Sequence, residues 1–496
     1  MKINSKILVF SVIPSVLFVG SCAQKEKGKP NIIFLMDDQH RWDALGIVNP
    51  DVHTPALDKL AENGVFFNQA VCQAPMCVAS RNSMMTGLYP SQTGILRNEP
   101  GLPDDALPNR PLAQVLQDAG YQTAGFGKTH WGLECSTRGF EVRYIGECRE
   151  KGAVMMIDVD PEKKSRYDEE IGKYGPGEEN NLGYIGETSA LPEGDHRDGW
   201  VFEQCQKFIR QREDDRPLFL YLSFLKPHAG HNVPAGYEEL YDPQKIKYAE
   251  QPPWDEDKSP HAKGINRREL YEGFWKNATD EQWRMMTMRY MANCSWMDHM
   301  YERTLAALEE KGLLENALII YVSDHGEMLG ERYYRFNKYC LYESSVRVPV
   351  ILSGTALPKK YKGKWDPRPA ELVDVYPTLM RAAGLQVPEE LPGKDLLSSN
   401  KRNASFCGLH ERENEAAFMW RTSDYKLILM FSRKPEPSGY SLEDIIGGEF
   451  YDLKNDPREW NDLFDKAEVK NLQSTMTDEL LDHLSTLEKL PPNAVQ

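Results

Sequence analysis

The chain has 496 residues, of which 41% are hydrophobic, enough to build the core of one large α/β domain and a smaller one. Its 75 acidic and 59 basic residues leave a formal charge of -16, which argues against electrostatic binding of nucleic acid, because that role needs a basic face to neutralise phosphates. No repeat of fixed period and no low-complexity tract interrupts it, so a folded enzyme is the expected class.

At the N-terminus, Lys2 and Lys6 precede an apolar run, 7–19, that is short for a bilayer span and reads as an export signal. Its end, Val19-Gly20-Ser21-Cys22, resembles a bacterial lipobox. That resemblance implies a signal peptide over 1–21, a lipidated Cys22 as membrane anchor, a polar tether over 22–30, and a place in the periplasm or outer membrane of a Gram-negative bacterium. An ordinary cleaved signal is the alternative. Next, 31–36 is apolar and runs into Asp37-Asp38, as a buried parallel strand does when it delivers polar groups at its carboxyl end. The pattern recurs at 218–224, followed by Lys226-Pro227-His228, and at 317–323, followed by Asp324-His325-Gly326. Helical patterns lie between, including 112–119 closed by Gly120, and 201–212. The stretches 175–198 and 242–266, rich in Gly, Pro and charge, read as surface excursions that could wall a cleft. After a helix over 374–384 the pattern changes to short strands such as 425–431, then a helix over 466–489.

These elements predict an α/β fold, a large mostly parallel sheet sandwiched by helices, over 31–385, and a smaller C-terminal α+β subdomain over 386–496. Nine cysteines show no compact disulfide spacing. Without Cys22 and Cys77 the remainder is odd, so at least one other thiol is expected to be free.

Ligands in open α/β sheets gather at strand ends, which draws attention to Asp37, Asp38, Asp324 and His325. Adjacent aspartates alone fit a helix cap as well as a metal. Burying three carboxylates together, however, is costly without a cation, and an oxygen-rich set favours Ca2+ or Mg2+ over zinc. The segment Pro75-Met76-Cys77-Val78-Ala79-Ser80-Arg81, continuing to Thr86-Gly87, puts a thiol where a helix begins and a cation one turn on. By itself a buried structural cysteine is the commoner meaning of such a thiol.

This segment closely resembles the sulfatase signature of the alkaline-phosphatase-like superfamily, Cys-x-(Pro/Ala)-Ser-Arg followed by Thr-Gly. Asp37-Asp38, the run Gly125 to Gly132 with Lys128 and His130, Pro227-His228, Asp324-His325-Gly326, Lys338 with Tyr342-Glu343, and Phe450-Tyr451-Asp452-Leu453 with Asp456-Pro457 are similar to further sulfatase blocks in the same order. Ala79, where many members have Pro, bears only on which maturation enzyme acts. The resemblance implies that Cys77 is converted by a formylglycine-generating enzyme to 3-oxoalanine, whose hydrated aldehyde attacks sulfur and then collapses to expel sulfate. It further implies a metal held by Asp37, Asp38, residue 77, Asp324 and His325, and sulfate neutralised by Arg81, Lys128 and Lys338. His130 would assist the diol and His228 would protonate the leaving oxygen. Lys226, His231, Arg97, Asn98 and Glu99 are further candidates for lining the pocket. The expected substrate is a sulfated carbohydrate of host or algal type, cut from a chain end. The competing readings are a phosphonate or phosphate monoester hydrolase of the same superfamily, and a non-catalytic lipoprotein that binds sulfated glycans.

Overall fold

A computed structural model describes residues 28–98, 101–131, 137–146, 150–173, 179–256, 259, 261, 268–400, 402–410, 415–434 and 437–495. The export signal, Cys22, most of the tether, Glu99 and Gly132 lie outside them.

The strand Asn31–Asp38 is the centre of a nine-stranded sheet. Its side chains alternate between two cores, Ile32, Phe34 and Met36 facing one and Ile33 and Leu35 the other, as the two-residue period of a strand requires. Ala317–Ser323 pairs with it in parallel on one side, in a register that sets Asp37 opposite Ser323, and Leu218–Pro227 pairs in parallel on the other. Gln122–Gly127 lies parallel to Leu218–Pro227, and Val142–Ile145 and Val154–Met155 extend that flank in the same sense. Four neighbouring strands therefore deliver Lys128, His228, Asp38 and Asp324 to one edge. Towards the opposite flank Val350–Ser353 runs antiparallel between Ala317–Ser323 and Val65–Phe67, so the sheet is mixed but mostly parallel.

Helices cover both faces. Cys77–Thr86, Leu112–Asp118 and Val375–Ala382 pack on the core that holds Phe34 and Met36, whereas Pro55–Glu62, Arg197–Gln211 and Asp280–Glu310 pack on the core of Ile33 and Leu35. The helix expected over 201–212 begins four residues earlier, and the last helix is shorter than expected, Lys470–Ser485. The excursion after residue 178 carries a short helix, Glu179–Ile185, and a strand, Thr188–Ser189, paired with Val233–Pro234.

A four-stranded antiparallel sheet follows, in the order Ser405–Leu409, Glu415–Arg421, Tyr425–Ser432 and Ile445–Asp452. Cys407, Leu409, Met419 and Ile428 on one face join the core of the large sheet. Phe406, Phe418, Leu427 and Leu429 on the other are covered by Met476, Leu480 and Leu484 of the last helix. Lys426, fully buried, lies 2.8 Å from Glu343 and 2.7 Å from Glu459, and Arg421 bonds both oxygens of Glu343.

Candidate active site

Cys77 is the first residue of its helix, after an extended Met76 at the N-cap, so it stands at the positive end of the helix dipole. Gly87, at φ 70, closes that helix in the left-handed region. The Ser80 hydroxyl donates to the backbone carbonyl of Asp324 at 2.6 Å, which locks the signature helix to the end of its strand. Gly127 is at φ 84, and a Cβ there would fall 1.9 Å from the carbonyl of Ser223, so only glycine lets the chain turn there and present Lys128.

The Cys77 Sγ lies 3.1 Å from Lys338 Nζ, 3.2 Å from His325 Nε2, 3.8 Å from Asp38 Oδ1 and 3.9 Å from Lys128 Nζ. Burial and Asp38 would raise this thiol's pKa, but Lys128, Lys338 and His325 outweigh them and hold it well below the usual range. Asp38, Cys77, Asp324 and His325 each point one ligand atom into a space where all lie within 4.8 Å of one another, and all four are buried. Two carboxylate oxygens, one imidazole nitrogen and the side chain of residue 77 form a donor set that could hold a divalent cation.

Two sequence expectations are corrected. Asp37 does not join this group. Successive strand residues point to opposite faces, so Asp37 turns from the metal candidates and accepts from Tyr301 Oη at 2.5 Å and Tyr321 Oη at 2.8 Å, with His40 Nδ1 at 2.8 Å. Arg81 does not face a sulfate space. Its guanidinium is wholly enclosed, with Nε donating to Asp324 at 2.7 Å, Nη2 to Asp38 at 3.0 Å, and Nη1 to the Lys128 carbonyl at 2.6 Å and Ser223 Oγ at 3.0 Å. It is the permanent counter-charge between the two carboxylates.

Lys128 Nζ also pairs with Asp38, at 2.6 Å, and this contact keeps it charged despite burial. Burial raises the Asp38 carboxyl, yet Lys128 and Arg81 bring it well below its usual range. Half-buried His228 places Nε2 3.2 Å from Lys338 Nζ and 4.0 Å from Asp38, and burial together with Lys338 holds it well below the ordinary histidine range. His130 has a left-handed φ of 54, and its buried Nδ1 has no hydrogen-bond partner among the described residues. Asn98 accepts the N–H of Val78 at 3.0 Å, which puts it beside the start of the signature helix, while Arg97 is spent on the carbonyl of His410. Lys226 and His231 are buried, bonded to the carbonyls of Gly230 and Tyr184. Gln39 and Glu327, which the motifs passed over, also line this region; their positions directly after Asp38 and Gly326 were the available signal.

The family model described as Sulfatase matches residues 30–385, which is most of the chain. The chain belongs to the sulfatase family. It is accordingly a sulfuric ester hydrolase, in a family that in general relies on a metal and a formylglycine. A second model, described as N-sulphoglucosamine sulphohydrolase, C-terminal, matches residues 330–486 of this sulfatase. An arylsulfatase of Clostridium perfringens is 29% identical over 89% of this chain and 92% of that protein. An N-acetylglucosamine-6-O-sulfatase of Bacteroides thetaiotaomicron is 26% identical over 96% of this chain and 90% of its own. Among solved structures, a phosphonate monoester hydrolase of Agrobacterium radiobacter has a TM-score of 0.72 at 20% identity, covering 92% of this chain and 96% of that one, and shares the alkaline-phosphatase-like fold.

Proposed function

We propose that this sulfatase removes sulfate esters from chain ends of a sulfated saccharide, with Cys77 converted to formylglycine and Ca2+, or Mg2+ in its place, held by Asp38, residue 77, Asp324 and His325. The observation that carries the reading is the Cys77 side chain set between those ligands and two lysines. Its Sγ marks where the formylglycine oxygens would stand. A hydrated formylglycine supplies one hydroxyl to attack sulfur and a second to expel sulfate afterwards, and the cation would lower the pKa of that diol and polarise a sulfate oxygen.

The chain's own groups do the rest. Lys338 has no carboxylate partner among the described residues, so its ammonium is available to a sulfate oxygen; Lys128, shared with Asp38, adds positive charge on the same side. His228 is neutral in the resting site. A bound sulfate beside it favours the protonated form, which then hands its proton to the departing sugar oxygen. His130, whose Nδ1 has no hydrogen-bond partner among the described residues, is proposed to take the proton of the remaining hydroxyl as sulfate is expelled and the aldehyde re-forms. The saccharide class is supported by the N-acetylglucosamine-6-O-sulfatase relative. Export with a lipid anchor at Cys22, and action of a maturation enzyme on residue 77, complete the proposal.

The test is a screen of position-defined sulfated mono- and disaccharides with matured, cation-loaded protein, using Cys77→Ala as the blank and an aryl phosphonate alongside an aryl sulfate. Sulfate release from one saccharide that is absent in the blank is expected. Equal release by Cys77→Ala, or a strong preference for phosphonate, would overturn the reading.

A further inference from the structure

His228 sits in a turn that joins the strand Leu218–Pro227 to the short strand Val233–Pro234. Both feet of that turn are fixed from outside it. On the near side the Asp198 carboxylate, in the first turn of the helix Arg197–Gln211, accepts the N–H of Leu225 at 2.7 Å and of Lys226 at 3.0 Å. On the far side His231 donates its backbone N–H to the Gly183 carbonyl at 2.9 Å, and its Nδ1 lies 2.6 Å from the Tyr184 carbonyl. The span 227–230 is held, among the described residues, from within. The N–H of His228 reaches the Leu225 carbonyl at 3.1 Å, its Nδ1 meets the Ala229 carbonyl at a loose 3.4 Å, and Lys226 Nζ crosses the turn to the carbonyl of Gly230.

That cross-brace is made from the interior. Lys226 is 3% exposed, and no carboxylate among the described residues lies within ion-pair distance of its ammonium. Burial lowers the ammonium to about 8 against the pull of Asp198, so it keeps its charge near neutral pH. Burial together with that charge holds His196 at about 4 and His231 at about 3, and both imidazoles are uncharged. With Nδ1–H directed at Tyr184, His231 keeps Nε2 as an acceptor, and Asn232, whose Nδ2 donates to Glu170 at 3.1 Å, keeps Oδ1 as another; neither has a hydrogen-bond partner among the described residues. An ammonium enclosed without an ion pair costs more to bury than a methionine of similar length, so packing does not account for Lys226. Its bond to Gly230 does.

We propose that Lys226 is a positioning residue for His228: by tying down the Gly230 carbonyl, its ammonium holds the span 227–230 in the shape that keeps the imidazole beside Lys338, where it meets the leaving oxygen. The proposal rests on the general-acid role given to His228 above. A general acid matters more as the leaving group becomes poorer, and that dependence separates an effect passed through His228 from a general weakening of the site.

The test compares phenyl sulfate with para-nitrophenyl sulfate, whose phenol is the more acidic, through kcat/KM, which reports the step in which the phenol departs. With matured, cation-loaded protein near neutral pH, Lys226→Met is expected to lose about ten- to a hundredfold on phenyl sulfate, and several-fold less than that on para-nitrophenyl sulfate, as a displaced catalytic group predicts. His228→Ala should show the same bias, and Lys226→Met/His228→Ala should be no slower than His228→Ala, because a brace has nothing to position once the imidazole is gone. Lys226→Gln, polar but one bond too short to reach Gly230, repeats the test if the methionine variant does not fold. Equal losses on the two esters, losses that multiply in the double variant, or no loss at all would overturn the positioning role. If His228→Ala treats both esters alike with residue 77 fully converted, the general-acid reading falls instead. Crystal structures of the parent and Lys226→Met then decide the placement separately: an imidazole displaced from Lys338 upholds it, and an unmoved one overturns it.

Discussion

Replacing Arg81 with alanine separates two roles for that residue. The guanidinium is fully buried and bonds Asp38 and Asp324 at once, so its removal leaves two enclosed carboxylates, of which Asp38 alone keeps a lysine, Lys128, as its partner. Breaking a buried ion pair from one side costs ~3–5 kcal/mol. At an unfolding entropy of ~2 cal/mol/K per residue, a chain of this length totals ~1 kcal/mol/K, so the apo protein should melt ~3–5 °C lower if it unfolds as a unit. A divalent cation at a hundred times its Kd adds ~2.7 kcal/mol, or ~3 °C, to the parent. The gain should be larger in Arg81→Ala, where the ion takes over the missing counter-charge. Scanning fluorimetry of both proteins in EDTA and in excess Ca2+ reads these shifts. Coincident melting in EDTA, with only KM raised in the matured enzyme, would refute the counter-charge role and return Arg81 to the sulfate contact implied by its motif.

Cys77→Ser should fold with the parent's melting temperature and show no catalytic turnover, because a serine that accepts sulfate lacks a second hydroxyl to expel it; repeated turnover on an aryl sulfate would count against the formylglycine chemistry. Lys426→Met leaves Glu343 and Glu459 buried without their shared cation, a loss of ~3–5 kcal/mol that limited proteolysis of the C-terminal sheet should register as faster cleavage. Burial raises the Asp298 carboxyl to about 7, even though its oxygens accept the N–H groups of Ala56 and Leu57. The folded protein then keeps a proton that the unfolded chain loses above ~4, so stability falls as pH rises from ~4 towards neutrality. Asp298→Asn should flatten that interval in a plot of melting temperature against pH, and an unchanged slope would contradict the raised value.

Much of the site was legible because parallel strands announce themselves as apolar runs that stop at polar residues. The runs ending at Asp38, before His228 and before Asp324 prove to be neighbours in one sheet, at one edge. What failed was the step from residue type to direction. Asp37 and Asp38 look equivalent as letters, but the pleat that buries Ile33 and Phe34 on opposite faces also sends the two aspartates apart. The partners that claim Asp37, Tyr301 and Tyr321, come from a helix and a strand far along the chain. Arg81 was correctly placed one turn from Cys77, yet its reach back to Asp38 and Asp324 depends on how the helix docks, which Ser80 settles through a backbone carbonyl. Glu327 and Gln39 escaped notice because Glu327 bonds the main-chain amides of Leu329 and Asn337 and the side chain of Gln39, and such partners leave no pattern of residue types.

Cys77 is 2% exposed, on a helix whose ten residues are all buried. The strand bearing Asp38 gains one neighbour when Leu218–Pro227 is made, but lacks its second until Ala317–Ser323, from late in the chain, pairs along it. At ~5–20 residues per second, the interval between the emergence of the helix and that of the strand is on the order of tens of seconds during synthesis. The thiol is therefore accessible early in the life of the molecule and closed off afterwards. If residue 77 is matured as proposed, protein that has folded with the cysteine unconverted should regain little activity when a maturation enzyme is added later, unless the chain is first unfolded.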